Sequence, residues 1–123
     1  MTSSAGKALV EKYIDGFNRL DKAQILSCLT EDIKWTVFGY FQLQGKPAYG
    51  DAITSPDFVG PPRLEIIRMV EEGDTIMAEI HGEADHRDGH TMRMAMGEVF
   101  VLRDGLIAER RAFVIQLAEN DFK

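Results

Sequence analysis

The chain has 123 residues, 45% of them hydrophobic, a net charge of −6 and one cysteine. The length fits a single domain spanning residues 1–123, and the hydrophobic share excludes an intrinsically disordered chain. Acidity without a basic block makes nucleic acid and anionic membrane poor partners, and a lone Cys28 excludes an internal disulfide. The sequence has no charged-then-apolar leader and no apolar run near 18 residues. A soluble, cytoplasmic protein is therefore expected, with neither signal peptide nor membrane span.

Residues 1–4 are small and polar and make a frayed start. From Ala5, the residues Leu9, Val10, Tyr13, Ile14, Phe17 and Leu20 form one stripe of an amphipathic helix. LDKAQILSCLTED reads as a second, shorter helix, N-capped by Asp21, with Cys28 as a buried structural thiol. IKWTVFGY predicts a strand, and GKPAYGDAI a short helix begun near Pro47. TSPDFVGPPR carries three of the four prolines and is a loop.

Leu64–Val70, Thr75–His86, Thr91–Leu102 and Leu106–Leu117 then read as four strands separated by the short turns EEGD, HRDGH and LRDGL. Two helices, a strand, a short helix and an antiparallel meander make an α+β domain, its curved sheet wrapped against the helices. The stretch MAMGEVFVL, Met94 to Leu102, is apolar on both faces of its period-two pattern, as in a strand covered on both sides. Glu98 stands in its middle. A carboxylate buried there needs a partner or a proton.

Turn length decides which side chain it meets. If Arg103, Asp104 and Gly105 form a three-residue loop, Glu98 lies opposite Arg110, and Met96 opposite Ala112. A two-residue Asp104-Gly105 loop places Glu98 against Arg111 instead. The commoner three-residue loop is favoured, and either register supplies an arginine. The same reasoning at Arg87-Asp88-Gly89 sets Glu98 opposite Ala78, Met96 opposite Ile80 and Met94 opposite Gly82. One face then gathers Ala78, Ile80, Met94, Met96, Phe100, Ala112 and Val114 around the ion pair. Its small residues (Ala78, Gly82, Ala112) beside flexible methionines read as an incompletely filled pocket with apolar walls. An ordinary core with a satisfied ion pair is the plainer reading.

Other features carry less. His86 and His90 face one another across their turn with Asp85 and Asp88 nearby, and a solvated turn is expected there rather than a metal site. His81 lies between Glu79 and Glu83 on the outer face, away from the pocket. Trp35, Phe38, Tyr40 and Phe41 could roof the pocket, and Tyr49 could reach its mouth. Phosphate-loop, dinucleotide-binding and nucleophile-elbow patterns are absent, so no nucleotide cofactor is expected.

EKYIDGFNRLDKAQILSCLTEDIKW, GKPAYGDAI and EVFVLRDGLIAERRAFV together resemble the nuclear transport factor 2-like superfamily. Within it, the likeness is to SnoaL-like polyketide cyclases and ketosteroid isomerase-like proteins. The resemblance implies a cone: a curved antiparallel sheet wrapped around N-terminal helices, a deep apolar pocket, and a homodimer through the outer face of the sheet. By resemblance to ketosteroid isomerase, Tyr13 matches the oxyanion tyrosine and Glu98 the protonated acid. The base position falls on Val37, or Thr36 if the gap is moved. The Arg and two Asp positions of limonene epoxide hydrolase fall on Ile80, Gly82 and Ala112, and the acidic residue of SnoaL-type cyclases falls near Ala112.

Two functions follow. One is an isomerase, cyclase or hydratase that acts on a small apolar carbonyl or carboxylate compound by acid–base chemistry. Tyr13, Glu98 and Arg110 would be its catalytic groups, and Phe17, Trp35, Val37, Tyr49, Ile80, Met94, Met96, Phe100 and Ala112 would bind the ligand. The other is a non-catalytic module that holds an apolar ligand or dimerises. Neither requires a cofactor or a metal.

Overall fold

The computed structural model describes residues 4–117. Ser4 is not frayed: its side chain accepts from the Lys7 amide at 3.1 Å and caps α1, Ala5–Asn18. The rest of the expected frayed start lies outside the described residues. Asp21 caps α2, Lys22–Ser27, by accepting from the Gln24 amide at 3.0 Å. That helix is shorter than expected, because the chain is already in strand β1, Leu29–Val37, where Leu29 and Ile33 are fully buried. A turn through Gly39, with φ of +84°, sends the chain back as β2, Phe41–Gln44, a strand the sequence did not announce. Helix α3, Lys46–Ala52, has a proline in its first turn.

Beyond the proline-rich loop lie β3 (Arg63–Glu72), β4 (Thr75–Asp85), β5 (Thr91–Arg103) and β6 (Leu106–Gln116). The six strands form one sheet in the order β2-β1-β6-β5-β4-β3. All neighbours are antiparallel except β1 and β6, which run parallel. β4 alternates buried and partly exposed residues, with Ile76, Ala78 and Ile80 turned toward the helices. Asn18, at the end of α1, fastens that helix to β3 by exchanging two bonds with the Leu64 backbone, at 2.6 and 2.9 Å.

The two long hairpins treat the register expectations differently. Across β4 and β5, Glu98 pairs with Ala78, Met96 with Ile80 and Met94 with Gly82, as the turn length predicted. Across β5 and β6 the favoured three-residue loop is wrong. Arg103 pairs with Leu106, and both residues of the Asp104-Gly105 turn have positive φ, +55° and +75°, the pattern of a two-residue hairpin turn. Val101 pairs with Glu109 while Leu102 pairs with Ile107, leaving Ala108 as a bulge. Bulge and turn together set Glu98 opposite Ala112, Met96 opposite Val114 and Arg110 opposite Phe100. Without the bulge, the short turn would have faced Arg111 inward. With it, Ile107 and Arg110 share the inner face.

Among the described residues, the outer face of the sheet is left uncovered. Phe113 and Ile115 are 47% and 64% exposed. No helix among the described residues is long and apolar enough to cross a membrane.

Candidate functional site

Four side chains from four elements meet beneath the helices. Arg110 reaches diagonally across β6 and β5 to Glu98 and donates from Nε to Oε1 at 2.5 Å and from Nη2 to Oε2 at 3.0 Å. Its Nη1 donates to the hydroxyls of Tyr13 on α1, at 2.5 Å, and Tyr49 on α3, at 3.3 Å. The two hydroxyls also hydrogen-bond each other. Glu98 is 1% exposed and Arg110 7%, so the pair is dry. Its bidentate geometry, with aromatic rings around the guanidinium, suits arginine and not lysine. The Arg110 Cζ lies 4.5 Å from the Trp35 ring centre, 5.3 Å from Tyr13 and 5.5 Å from Phe17.

The electrostatics fix the protonation of three members. Burial pushes the Tyr13 hydroxyl well above its ordinary pKa, against the opposing pull of Arg110, and it pushes Tyr49 up in the same way. Both phenols are neutral at physiological pH. Burial alone would lower Arg110, but the Glu98 carboxylate, helped by the two tyrosines, holds it well above the usual arginine value. Arg110 is a permanent cation and not a proton donor.

Next to this cluster is a cavity of about 400 Å³. Its walls include Phe17, Trp35, Val37, Met94, Met96 and Ala112, all named from the sequence as ligand contacts, and Arg110 forms its charged end. Tyr13 and Glu98 are not on the wall; they stand behind Arg110. Three expected ligand contacts lie elsewhere. Ile80 and Phe100 are fully buried in packed core, and Tyr49 is fully buried against Arg110 and Trp35 rather than at a mouth. The small-residue signal was partly misleading. A Cβ at Gly82 would meet Leu64 Cδ2 at 2.7 Å, so that room is filled, whereas Ala112 does open onto the cavity.

Most of the wall residues that sequence reasoning missed come from the end of α3 and the proline-rich loop, among them Ala52, Ile53, Thr54, Ser55, Phe58 and Pro62, and Leu20, Leu64, Ala84 and Met92 join them from other elements. Phe58 supplied the one available signal, an aromatic residue in a loop of small and rigid residues. It bridges to His86 and sets its ring 5.6 Å from the imidazole. Among the four aromatics expected as a roof, Trp35 and Phe41 line the cavity. Phe38 stacks on Phe113 at 4.9 Å, and Tyr40 is 68% exposed.

The remaining polar groups stay apart from the cluster. His86 and His90 stack at 4.9 Å, and the exposed Asp88 carboxylate accepts from His90 Nδ1 at 2.5 Å. His81 Nε2 lies 3.0 Å from Glu79 on the outer face. Cys28 is buried, with its thiol pKa raised by that burial, and its Sγ is 3.4 Å from the Gln24 carbonyl. It is structural.

A family model described as a SnoaL-like domain matches residues 10–110. The chain belongs to this family. The SnoaL-like domain's fold recurs in solved structures of low identity. A limonene-epoxide-hydrolase-like epoxide hydrolase of Mycobacterium tuberculosis superposes with a TM-score of 0.81 at 15% identity, over 90% of this chain and 83% of that one. A nuclear transport factor 2-like protein of Burkholderia xenovorans gives 0.75 at 14% identity, over 94% and 92%. TerC, co-crystallised with polyporic acid, gives 0.77 at 20% identity, over 89% and 90%. At these identities the likeness is one of fold. No curated protein matches the sequence significantly.

Proposed function

We propose that this SnoaL-like domain binds a small, largely apolar molecule in the inner cavity, with Arg110 as its fixed polar contact. The observation that carries the reading is the composition of the wall. Around about 400 Å³ of space, only Trp35, Thr54, Ser55 and Arg110 bring polar side chains, and the rest is apolar. No carboxylate, imidazole, thiol or amine is among the lining residues. The position that resembles the base of ketosteroid isomerase, Val37 or Thr36, carries no group that can abstract a proton.

Binding without acid–base turnover is therefore favoured over an isomerase, cyclase or hydratase that moves protons. Both Glu98 oxygens are engaged by Arg110, and the tyrosines hold their protons. One catalytic route keeps support from a specific observation. A guanidinium already held in place by four hydrogen bonds can stabilise charge developing on a ligand oxygen without reorganising. The test uses the single tryptophan as a reporter. Titration with small apolar carbonyl compounds should change Trp35 emission saturably, with the compound recovered intact. No saturable response across such a panel would remove the cavity as a binding site. Turnover that is abolished by Glu98→Gln while binding persists would restore acid–base catalysis.

The exposed outer face supports a homodimer as the assembly. Met77, Phe113 and Ile115 are large apolar side chains at least 47% exposed on one side of the sheet. Sedimentation at micromolar concentration should give twice the chain mass, and Ile115→Asp should return it to the monomer.

A further inference from the structure

Two of the chain's three histidines flank the β4–β5 turn, on either side of Asp88. The sequence reads this turn as solvated, because spacing alone names no converging ligands. The structure supplies the convergence. Among the described residues, His86, Asp88 and His90 are the one group of metal-ligating side chains whose ligand atoms gather, all within 4.8 Å of one another. One Asp88 oxygen lies 3.3 Å from His86 Nδ1 and 2.5 Å from His90 Nδ1. The two rings stack at 4.9 Å, and Phe58 packs edge-on against His86. The Asp88 amide donates to His86 Nδ1 at 3.2 Å, so the lone pair of that nitrogen faces into the turn. The His90 amide donates to Asp88 Oδ1 at 2.9 Å and holds the carboxylate in place.

A zinc ion takes nitrogen and oxygen ligands at about 2.0–2.2 Å, which sets neighbouring ligand atoms about 3.4 Å apart in a tetrahedron. His86 and Asp88 already stand at that separation. His90 and Asp88 must part by about 1 Å, a side-chain rotation open to two exposed groups. Asp85 is no fourth ligand, since Arg63 and Thr91 engage its carboxylate, so water completes the shell. Two imidazoles favour zinc, cobalt or nickel over magnesium and calcium, which take oxygen ligands. The same turn fastens the proline-rich loop. The Val59 amide donates to the Asp85 carbonyl and the Arg87 amide to the Asp57 carbonyl, each at 2.8 Å, and Phe58 bridges to His86 between them. Fixing His86 therefore fixes the loop segment whose Phe58 side chain lines the inner cavity. We propose that His86, Asp88 and His90 bind one divalent ion of the zinc class, and that the bound ion locks this loop to the β4–β5 hairpin. The site is independent of what the cavity holds.

The test is calorimetric titration of the chelator-treated protein at neutral pH, with zinc and separately with magnesium. One zinc ion per chain should bind at micromolar concentration, and magnesium should not. His90→Ala and Asp88→Asn should each weaken zinc binding by more than about tenfold, since a lost ligand costs at least as much as a lost outer partner. His81→Ala removes the remaining histidine and should leave the affinity unchanged. Hydrogen exchange at the Val59 and Arg87 amides should slow when zinc is added to the wild type, and should not respond to zinc in His90→Ala. Absence of zinc binding, equal binding of magnesium, or an affinity that survives both turn variants overturns the site. Zinc binding that leaves exchange at both amides unchanged overturns the locking of the loop.

Discussion

Two arginine–carboxylate pairs in this sheet share their chemistry and differ in surroundings. Arg110 and Glu98 have side chains 8% and 1% exposed; Arg63 and Asp85, at the β3–β4 end of the sheet, are 51% and 44% exposed. Both pairs are bidentate. The outer pair exchanges one hydrated arrangement for another, so losing it costs little. The inner pair cannot be dismantled one partner at a time, because the survivor is a charge in a dry core. Hydrogen-bond geometry alone would rank the two as equals, and burial separates them.

The largest effect is expected at the inner pair. Arg110→Ala leaves Glu98 enclosed without a cation and should cost about 3–5 kcal/mol by chemical denaturation. Replacing both partners with apolar residues, Arg110→Met with Glu98→Leu, should cost much less than the single change. Equal losses in the single and double variants would mean that the arginine acts through packing on Trp35 and Phe17 rather than through charge. Next comes Tyr13→Phe, which takes one acceptor from Arg110 Nη1 without opening a cavity. A loss of about 1–3 kcal/mol is expected, as for other buried donors deprived of a partner. An unchanged denaturation midpoint would show that the Tyr49 hydroxyl, 3.3 Å from the same nitrogen, takes over.

The inner pair was legible from sequence for reasons that the structure partly corrects. Period-two alternation set Glu98 among inward residues, and an arginine on the adjoining strand was its evident partner. The favoured loop at Arg103–Gly105 was one residue too long, and the bulge at Ala108 was unforeseen. The two departures offset each other in parity, so Arg110 faces inward as expected, though diagonal to Glu98 rather than opposite it. By contrast, the HRDGH turn gave its register directly. The cavity was less legible. Its wall draws on α3 and on Thr54–Pro62, a stretch with no periodicity, and glycine spacing alone could not reveal that Leu64, the partner of Gly82 on the neighbouring strand β3, fills the room there.

Alkaline pH sharpens the contrast between inside and outside. Tyr13 and Tyr49 have folded-state pKa values raised above the ordinary 10.0. Between that value and the folded pKa, the unfolded chain releases protons that the folded chain keeps. Their contribution is whole below about pH 10 and is lost as the pH rises through the folded-state pKa. Thermal stability should therefore fall above pH 10. While the fold persists, phenolate absorbance should stay short of the amplitude for three tyrosines by two. Full amplitude with native circular dichroism would mean that the Arg110 cluster is open to hydroxide.

The smallest effect is reserved for the outer pair. Arg63 holds the Asp85 carboxyl down to about 2, from an ordinary 3.8, with Thr91 adding a further hydrogen bond. A lowered folded-state pKa means that the unfolded chain takes up protons first as acid is added. The contribution is therefore whole above about pH 4 and disappears as the pH falls toward 2. Because both partners stand in water, it is small even at neutral pH and shrinks with salt. Melting temperatures of Asp85→Asn and wild type should differ slightly at pH 7 in low salt, converge at high salt, and coincide near pH 2. A loss as large as that of Arg110→Ala, or one indifferent to salt, would break the comparison. It would mean that this pair is shielded in the assembled protein, as the inner pair is by the helices.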